Sequence, residues 1–168
     1  PAAEAALTAP AAGIDHHFSG TTALLAYVPT PADVYVAWAG DSRAVLGTPS
    51  PTGGPPTATP LSADHVPSVR AEARRITAAG GRLLRPSSRG PLRVYLPRHP
   101  LPGAAMSRSV GDTAIAAVGV VATPDVVHVA VPPGGGVLLL ATDGLWAVMG
   151  PASAVGSVTA ARAGGRSA

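Results

Sequence analysis

Short β-prone runs separated by turn residues dominate the first third of the chain. The runs Thr21–Val28 and Val34–Ala39 flank the turn-forming segment Pro29–Asp33, and Arg43–Gly47 follows a corner at Gly40-Asp41. β-Branched and aromatic residues favour strands, whereas Gly, Pro and Asp favour the turns between them. The pattern therefore predicts a meander of antiparallel strands.

The spacing of apolar residues predicts one amphipathic helix, over Ser68–Ala79. Its apolar residues fall on one helical face: Val69, Ala73, Ile76 and Ala79. The pair Gly80-Gly81 supplies the helix end, because glycine readily takes the left-handed conformation found there. The preceding segment Pro49–Pro60 is rich in Pro, Gly and Thr without periodicity, which predicts a surface loop.

The later part of the chain adds further strands and one more helix. Val120–Val121 and Val126–Val131 are β-branched runs, Val137–Ala141 has the pattern of a buried strand, and Ser153–Ala163 predicts a last helix. Strands followed by occasional helices, without strict alternation, indicate an α+β fold with a mainly antiparallel sheet or sandwich. We expect helices on its outer faces.

The first 18 residues differ from the rest. They are Ala-rich, and a short helix is predicted around Ala2–Leu7, ended by Pro10 and Gly13. Residue 1 is Pro rather than Met, and no charged segment with an apolar stretch follows, so we expect no signal peptide and interpret the start as a cut. The predicted organisation is a helix remnant and loop over 1–18 and one domain over 19–168.

Composition narrows the possible classes of function. Apolar residues make up 46% of the chain and aromatic residues 4%, so the core must consist mainly of Val, Leu, Ile and Ala. The net charge is +3, but the arginines are spread from Arg43 to Arg166, and we expect no nucleic-acid partner. The lack of Cys excludes disulfides and thiolate metal sites, and no apolar run approaches the roughly 18 residues of a membrane span.

The sharpest candidate for chemistry is Asp143, which follows the predicted buried strand directly. A strand end holds a carboxylate rigidly, and Gly144 lets the backbone turn and a ligand approach. Such carboxylates suit Mg²⁺ or Mn²⁺, which prefer oxygen ligands. The alternative is an Asp that only caps the following helix.

Asp64 and Asp41 are two further candidates. Asp64 lies just before the best helix, and Asp41 lies in the Gly40-Asp41-Ser42-Arg43 corner. Each has a structural alternative, because Asp64 could cap that helix and Asp41 could pair with Arg43 or bind corner amides. Spacing does not decide between these interpretations.

Six segments stand out when they are taken in order along residues 19–150. They are Ser19-Gly20-Thr21-Thr22-Ala23, Gly40-Asp41-Ser42-Arg43-Ala44-Val45-Leu46, Leu61-Ser62-Ala63-Asp64-His65, Glu72 with Arg75-Ile76 and Ala79-Gly80-Gly81, Pro102 to Asp112, and Ala141-Thr142-Asp143-Gly144-Leu145-Trp146. Together they resemble the metal-dependent PPM phosphatases, also called type 2C. One such segment is weak evidence, but six in the same order and register are specific to this family.

The resemblance implies an antiparallel β-sandwich flanked by helices, incomplete at both ends, with two Mg²⁺ or Mn²⁺ ions at one end. A water between the ions would attack phosphoserine or phosphothreonine in protein substrates. By resemblance, Asp143 binds the dinuclear centre, and Asp64 joins it in holding a further, weaker ion. Asp41, Arg43 and Asp112 are implied to hold loops rather than metal. An intracellular protein is favoured, and the oligomeric state stays open.

The chain also departs from this family. The Asp-Gly-His-Gly-Gly motif expected before Ser19 is missing, and Asp15-His16-His17 does not replace it, so we interpret both His as loop residues. The earlier phosphate-binding Arg and the late Asp-Asn pair are missing too. Val66 stands where the family frequently has Lys. Ala147 stands where it frequently has Asp, a residue that would orient the metal site without binding the metal directly. Because two carboxylates cannot balance two divalent ions, we expect this chain by itself to be inactive.

Two other functions remain open. A non-catalytic relative of the same fold would bind phosphoproteins without hydrolysing them. A serine hydrolase is suggested by Gly40-Asp41-Ser42, but such a nucleophile needs a His held by an acid. The only His after residue 100 is His128, inside a predicted strand.

Overall fold

The computed structural model describes residues 5–6, 15–98 and 103–165. The helix predicted around Ala2–Leu7 lies mostly outside these ranges. The elements in chain order are β1 (Gly20–Thr21), β2 (Ala23–Thr30), β3 (Asp33–Ala39), β4 (Arg43–Thr48), β5 (Thr57–Pro60), α1 (Arg70–Ala78), β6 (Arg82–Leu84), β7 (Arg93–Tyr95), β8 (Val110–Gly111), a 3₁₀ helix (Thr113–Val118), β9 (Asp125–Ala130), β10 (Val137–Ala141), α2 (Asp143–Trp146) and α3 (Pro151–Ala163).

The described residues form two compact units, and each unit is built from separated stretches of chain. The first unit draws its residues from Pro1–Ala23, Ala39–Asp41 and Asp64–Pro124. The second unit draws its residues from Leu24–Trp38, Ser42–Ala63 and Asp125–Ala168. Among the described elements of both units, no helix has the length and apolar character that crossing a membrane requires.

The second unit contains two three-stranded sheets, in the orders β2-β3-β9 and β10-β4-β5. The pairs β3–β9, β4–β10 and β4–β5 are antiparallel. Alternate residues of each strand point to one face, so Val34, Val36 and Trp38 of β3 meet Ala44 and Leu46 of β4 in one buried cluster. The predicted α+β fold with antiparallel sheets is confirmed.

Helix α3 covers the other face of the β10-β4-β5 sheet. Its Ala154 and Val155 pack in a buried cluster with Val45 of β4 and with Trp146. Gly47 of β4 allows this close approach, because an added Cβ would lie 2.5 Å from a methyl carbon of Val155. The helical cover expected from the sequence is therefore present on this sheet.

The outer face of the β2-β3-β9 sheet is exposed and partly aromatic. Leu25, Tyr27 and Val126 are each at least 60% exposed. Tyr35 stacks on His128 of the neighbouring strand with ring centroids 4.5 Å apart. Helical cover was expected on both outer faces, but this one is open to solvent in the described residues.

The first unit is organised around α1. Its core contains five buried residues: Ile76, Val94, Ile115, Val118 and Val120. Gly80 takes a φ of 84° directly after the helix cap. The amide groups of Gly80 and Gly81 donate to the carbonyls of Thr77 and Ile76, which satisfies the end of the helix. The predicted helix and its glycine stop are thus confirmed, with the helix beginning two residues later than expected.

The prediction that Pro49–Pro60 is entirely loop is wrong. Thr57–Pro60 forms β5 and pairs antiparallel with β4, from Thr48 opposite Thr57 to Val45 opposite Pro60. The Pro residues around β5 make this short strand hard to recognise in the sequence. Pro60 is tolerated because β5 lies at the edge of its sheet. Val120–Val121, predicted as strand, contributes only an isolated bridge from Val121 to Arg108.

Candidate functional site

Asp143 lies where β10 gives way to α2, as the sequence predicted. Thr142 is the N-cap of α2 and makes no side-chain cap hydrogen bond. The carboxylate of Asp143 is exposed and makes no hydrogen bond or ion pair to another described residue. A capping role for Asp143 is therefore not observed. A carboxylate in the first helical turn is also favoured by the helix dipole.

Trp146 holds the Asp143 segment against the sheet. Its indole Nε1 donates a hydrogen bond of 2.8 Å to the carbonyl oxygen of Ala141, the last residue of β10. The ring itself is buried beside Val45 and Val155. The residues on both sides of Asp143 are thus fixed, while its side chain faces solvent.

Asp64 lies in a segment that is tied to the Gly40 corner. The amide of His65 donates to the carbonyl of Gly40 at 2.9 Å. The amide of Gly40 donates back to Nδ1 of the buried His65 ring at 3.2 Å. Helix α1 has Val69 as its N-cap, so the alternative that Asp64 caps this helix is wrong. Asp64 is half-buried, and Asp41 beside Gly40 is half-buried as well.

The two carboxylates proposed as metal ligands belong to different units, Asp64 to the first and Asp143 to the second. Their roles as ligands stay predictions. Within residues 5–6, 15–98 and 103–165, no group of three or more His, Cys, Asp or Glu side chains is arranged to hold a metal ion. A dinuclear centre needs several carboxylates, so the described residues do not fit a complete two-ion site.

A buried ionic cluster around Glu72 was not predicted from the sequence. Glu72 is 3% exposed, and Arg75 binds both of its carboxylate oxygens, at 2.8 and 2.6 Å. Arg108 donates to Oε1 at 2.9 Å, and the Ser107 hydroxyl donates to Oε2 at 2.6 Å. The spacing of Glu72 and Arg75 on one helix signals their pairing, but nothing local signals partners about 35 residues away.

The charge state of Glu72 follows from this geometry. Burial by itself would raise the pKa of its carboxyl group. Hydrogen bonds from Arg75, Arg108 and Ser107, together with the charge of Arg75, outweigh burial and hold the pKa far below its usual range. Glu72 is therefore ionised in the folded state. Its carboxylate connects α1 to the Ser107-Arg108 segment of the Ser-Arg-x-x-Gly-Asp motif through hydrogen bonds.

Replacing Ser109 with Ala is expected to leave the free energy of unfolding unchanged or to raise it by up to about 1 kcal/mol. The hydroxyl of Ser109 is buried and has no hydrogen-bond partner among the described residues, so its removal relieves a desolvation cost. Ser107→Ala is the matched control and should destabilise the chain, because that hydroxyl binds Glu72. Urea unfolding followed by circular dichroism measures both, and a larger loss for Ser109→Ala than for Ser107→Ala would contradict the assignment.

The other histidines and Ser42 do not form a catalytic site in the described residues. His16 contacts Thr113, with its Nδ1 3.1 Å from the hydroxyl, and the Thr113 amide donates to its carbonyl. His128 binds Asp33 at 2.8 Å on the exposed sheet face. Ser42 is 5% exposed and precedes a strand of the other sheet. Ser42 is thus buried, and the Asp33–His128 pair lies in the other sheet, so the described residues do not form the arrangement that a serine hydrolase needs.

Comparison with known proteins gives one consistent result. A family model described as "Protein phosphatase 2C" matches residues 3–168. A rice protein, "Probable protein phosphatase 2C 12" of Oryza sativa subsp. japonica, is 43% identical over 148 residues, which cover 88% of this chain and 38% of that protein. "Probable protein phosphatase 2C 61" of Arabidopsis thaliana is 46% identical over 132 residues, or 78% of this chain and 40% of the relative.

Solved structures agree with the sequence comparisons. A serine-threonine phosphatase 2C from Toxoplasma gondii superposes with a TM-score of 0.86 and 28% identity, covering 97% of this chain and 54% of that chain. A C. elegans sex determining protein gives a TM-score of 0.70 and 26% identity, covering 84% of this chain and 31% of that one. The chain thus spans about two fifths of these curated relatives and about half of the first structure.

Proposed function

The chain belongs to the protein phosphatase 2C family of metal-dependent protein serine/threonine phosphatases, and we propose that it forms part of an enzyme that hydrolyses phosphoserine and phosphothreonine in proteins. The proposal is supported most directly by Asp143, which stands exposed at the strand-to-helix junction in the segment that resembles the family's metal-binding motif. Phosphorylated proteins are the proposed substrates, and an intracellular location is proposed with them.

We assign Asp143 and Asp64 as ligands of Mg²⁺ or Mn²⁺ in this proposal. Both ions prefer carboxylate oxygens, and the Asp143 carboxylate is accessible with no competing partner in the described ranges. Two carboxylates are too few for two divalent ions, and the described residues hold no third ligand grouped with others. The function proposed for this chain is therefore that of a partial domain, without catalytic activity of its own.

The isolated chain is expected to show no Mn²⁺-dependent hydrolysis of p-nitrophenyl phosphate or of a phosphothreonine peptide above the background rate. The reason is the shortage of ligands, not a failure to fold, so circular dichroism should show a folded protein in the same buffer. Released phosphate is measured with and without 5-fold excess chelator over metal, at roughly millimolar Mn²⁺, a range in which weak carboxylate sites fill.

Two variants make this assay decisive. Asp143→Asn removes the proposed ligand, and Asp33→Asn removes a carboxylate that binds His128 instead. Turnover that Asp143→Asn abolishes and Asp33→Asn preserves would contradict the expected inactivity while supporting the role of Asp143. Turnover that neither variant changes would contradict the assignment of Asp143.

A non-catalytic phosphoprotein-binding module of the same fold is the second candidate. The observation that favours it is the lack of a three-ligand group in the described residues. The longer coding sequence discriminates between the two candidates. An upstream Asp-Gly-His-Gly-Gly motif supports the enzyme, and a gene without it supports the binding module.

A further inference from the structure

A cleft of about 490 Å³ lies in the second unit, at the end of β10 opposite Asp143. Gly47 and Val137 line it and lie opposite each other in the β4–β10 pair, whereas Ala141, two residues before Asp143, pairs with Arg43 at the other end. Strands rise about 3.4 Å per residue, so the two ends of β10 are roughly 14 Å apart. The cleft is therefore distinct from the Asp143 segment.

Two glycine-rich turns form much of the cleft wall. The amide of Gly53 donates to the carbonyl of Ser50 at 3.2 Å, and the amide of Gly135 donates to that of Pro132 at 3.0 Å. Gly53, Gly134 and Gly135 have φ values of 74°, 99° and 73°, which residues with a side chain rarely adopt. Successive amides in turns with such left-handed residues can line a concave site that binds an anion.

The turns also leave hydrogen-bond donors unused. The amides of Gly54 and Gly134, both in the cleft wall, donate no hydrogen bond to another described residue. Apart from the glycine itself and its two chain neighbours, no described residue has a heavy atom within 4 Å of the Cβ position at Gly53, Gly134 or Gly135, so the backbone there is open to close approach. Such unhindered amides can donate hydrogen bonds to an oxyanion.

The charges around the cleft favour an anion as well. Arg162 is the one charged residue in the described cleft lining, and its guanidinium makes no hydrogen bond or ion pair to another described residue. The last turn of α3 opposes an anion through its carbonyls, and the hydrogen bonds that those of Ala160 and Arg162 accept from Gly164 and Gly165 reduce this opposition. The guanidinium fork matches phosphate oxygens, to which it can donate two bonds.

We infer that this glycine-lined cleft binds the phosphoryl group of a phosphoserine or phosphothreonine side chain, as a docking site separate from Asp143. The cleft is much larger than a phosphate and lies within the range of about 300–1,000 Å³ typical of ligand pockets, so it accommodates neighbouring peptide residues. That the phosphate arrives on a protein rests on the proposed function. The anion site itself rests on Arg162 and the glycine amides.

Fluorescence anisotropy with a labelled phosphoserine peptide tests the inference. The measurement is made in EDTA, so binding is independent of metal and of any hydrolysis. The phosphopeptide is expected to bind saturably and at least tenfold more tightly than its unphosphorylated counterpart. Arg162→Gln should raise the Kd at least fivefold, and Arg162→Glu should abolish binding, because its carboxylate repels the phosphate.

Arg74→Gln and Arg74→Glu are the matched controls, since Arg74 is an exposed helical arginine that does not line the cleft. They should leave the Kd of the phosphopeptide within twofold of the value for the unaltered chain. Equal losses of affinity in the Arg74 and Arg162 variants would show general charge attraction and overturn the inference. The absence of any binding would overturn it as well. Inorganic phosphate should compete only weakly, and competition as strong as that of the phosphopeptide would overturn the peptide part. A longer protein that shows no phosphatase activity would overturn the proposed function. Binding of the phosphopeptide at the cleft would still be expected.

Discussion

Replacing Glu72 with Ala is expected to lower the free energy of unfolding by about 3–5 kcal/mol, a large part of the stability of a small domain. The truncation leaves Arg75 and Arg108 without the carboxylate that both of them bind, and Arg108 is only 13% exposed. It also removes the acceptor of the Ser107 hydroxyl. Urea unfolding followed by circular dichroism gives the change in free energy.

The exposed pair Asp33–His128 supplies the comparison for Glu72. Both side chains are more than one third exposed, so Asp33→Ala should change stability far less than Glu72→Ala. Comparable losses in the two variants would contradict the view that burial makes the Glu72 cluster important. Addition of salt should weaken the Asp33 effect further and leave the Glu72 effect largely intact.

The pH dependence of the free energy of unfolding also tests whether Glu72 is ionised in the folded state. The pKa of Glu72 is lowered in the folded state, so its contribution is fully present above the ordinary Glu pKa of about 4.3 and declines as pH falls below that value. In that range the unfolded chain takes up a proton that the folded chain does not. Glu72→Gln should therefore flatten the acid side of the stability curve, and an unchanged slope would show that Glu72 is not ionised in the folded state.

Replacing Trp146 with Ala is expected to lower the free energy of unfolding by about 3–5 kcal/mol as well. The indole fills the buried space beside Val45 and Val155, and its removal leaves a cavity between β4 and α3. It also removes the hydrogen bond to the carbonyl of Ala141, two residues before Asp143. Thermal unfolding followed by circular dichroism measures the loss.

Trp146→Phe separates packing from hydrogen bonding. It keeps an aromatic ring and removes the indole donor, so we expect a loss of about 1–2 kcal/mol. A loss equal to that of Trp146→Ala would contradict packing as the main contribution. Hydrogen exchange of the amides from Leu145 to Met149, which bond to Thr142, Asp143 and Leu145, should speed up more in the Ala variant.

The sequence predicted the elements whose signals are local. The run Val137–Ala141 is observed as a strand with the same bounds, and Asp143 follows it as expected. The helix ended by Gly80-Gly81 is found because both its apolar period and its stop lie within about twelve residues. The turn residues between β2 and β3 indicated that these strands are neighbours, whereas β4, predicted in the same meander, lies in the other sheet.

The parts that were missed depend on pairing partners that no local sequence pattern indicates. Thr57–Pro60 has too few residues and too many prolines to show alternation, and only its pairing with β4 makes it a strand. Glu72 contacts Ser107 and Arg108 because a later segment of the chain folds back against α1. No rule based on the spacing of residues along the sequence predicts this contact. The relation of Asp64 to Asp143 stays a prediction for the same reason, since it too depends on segments far apart in sequence.

The interleaved order of the strands has a consequence for synthesis on the ribosome. β3 pairs with β9 and β4 with β10, so the partners of β3 and β4 are translated roughly 90 residues after them. Until then the nascent chain carries Val34, Val36 and Leu46 without the sheet that buries them. Contacts between such distant segments slow folding, and the exposed apolar surface makes the growing polypeptide prone to aggregation until β9 and β10 have been made.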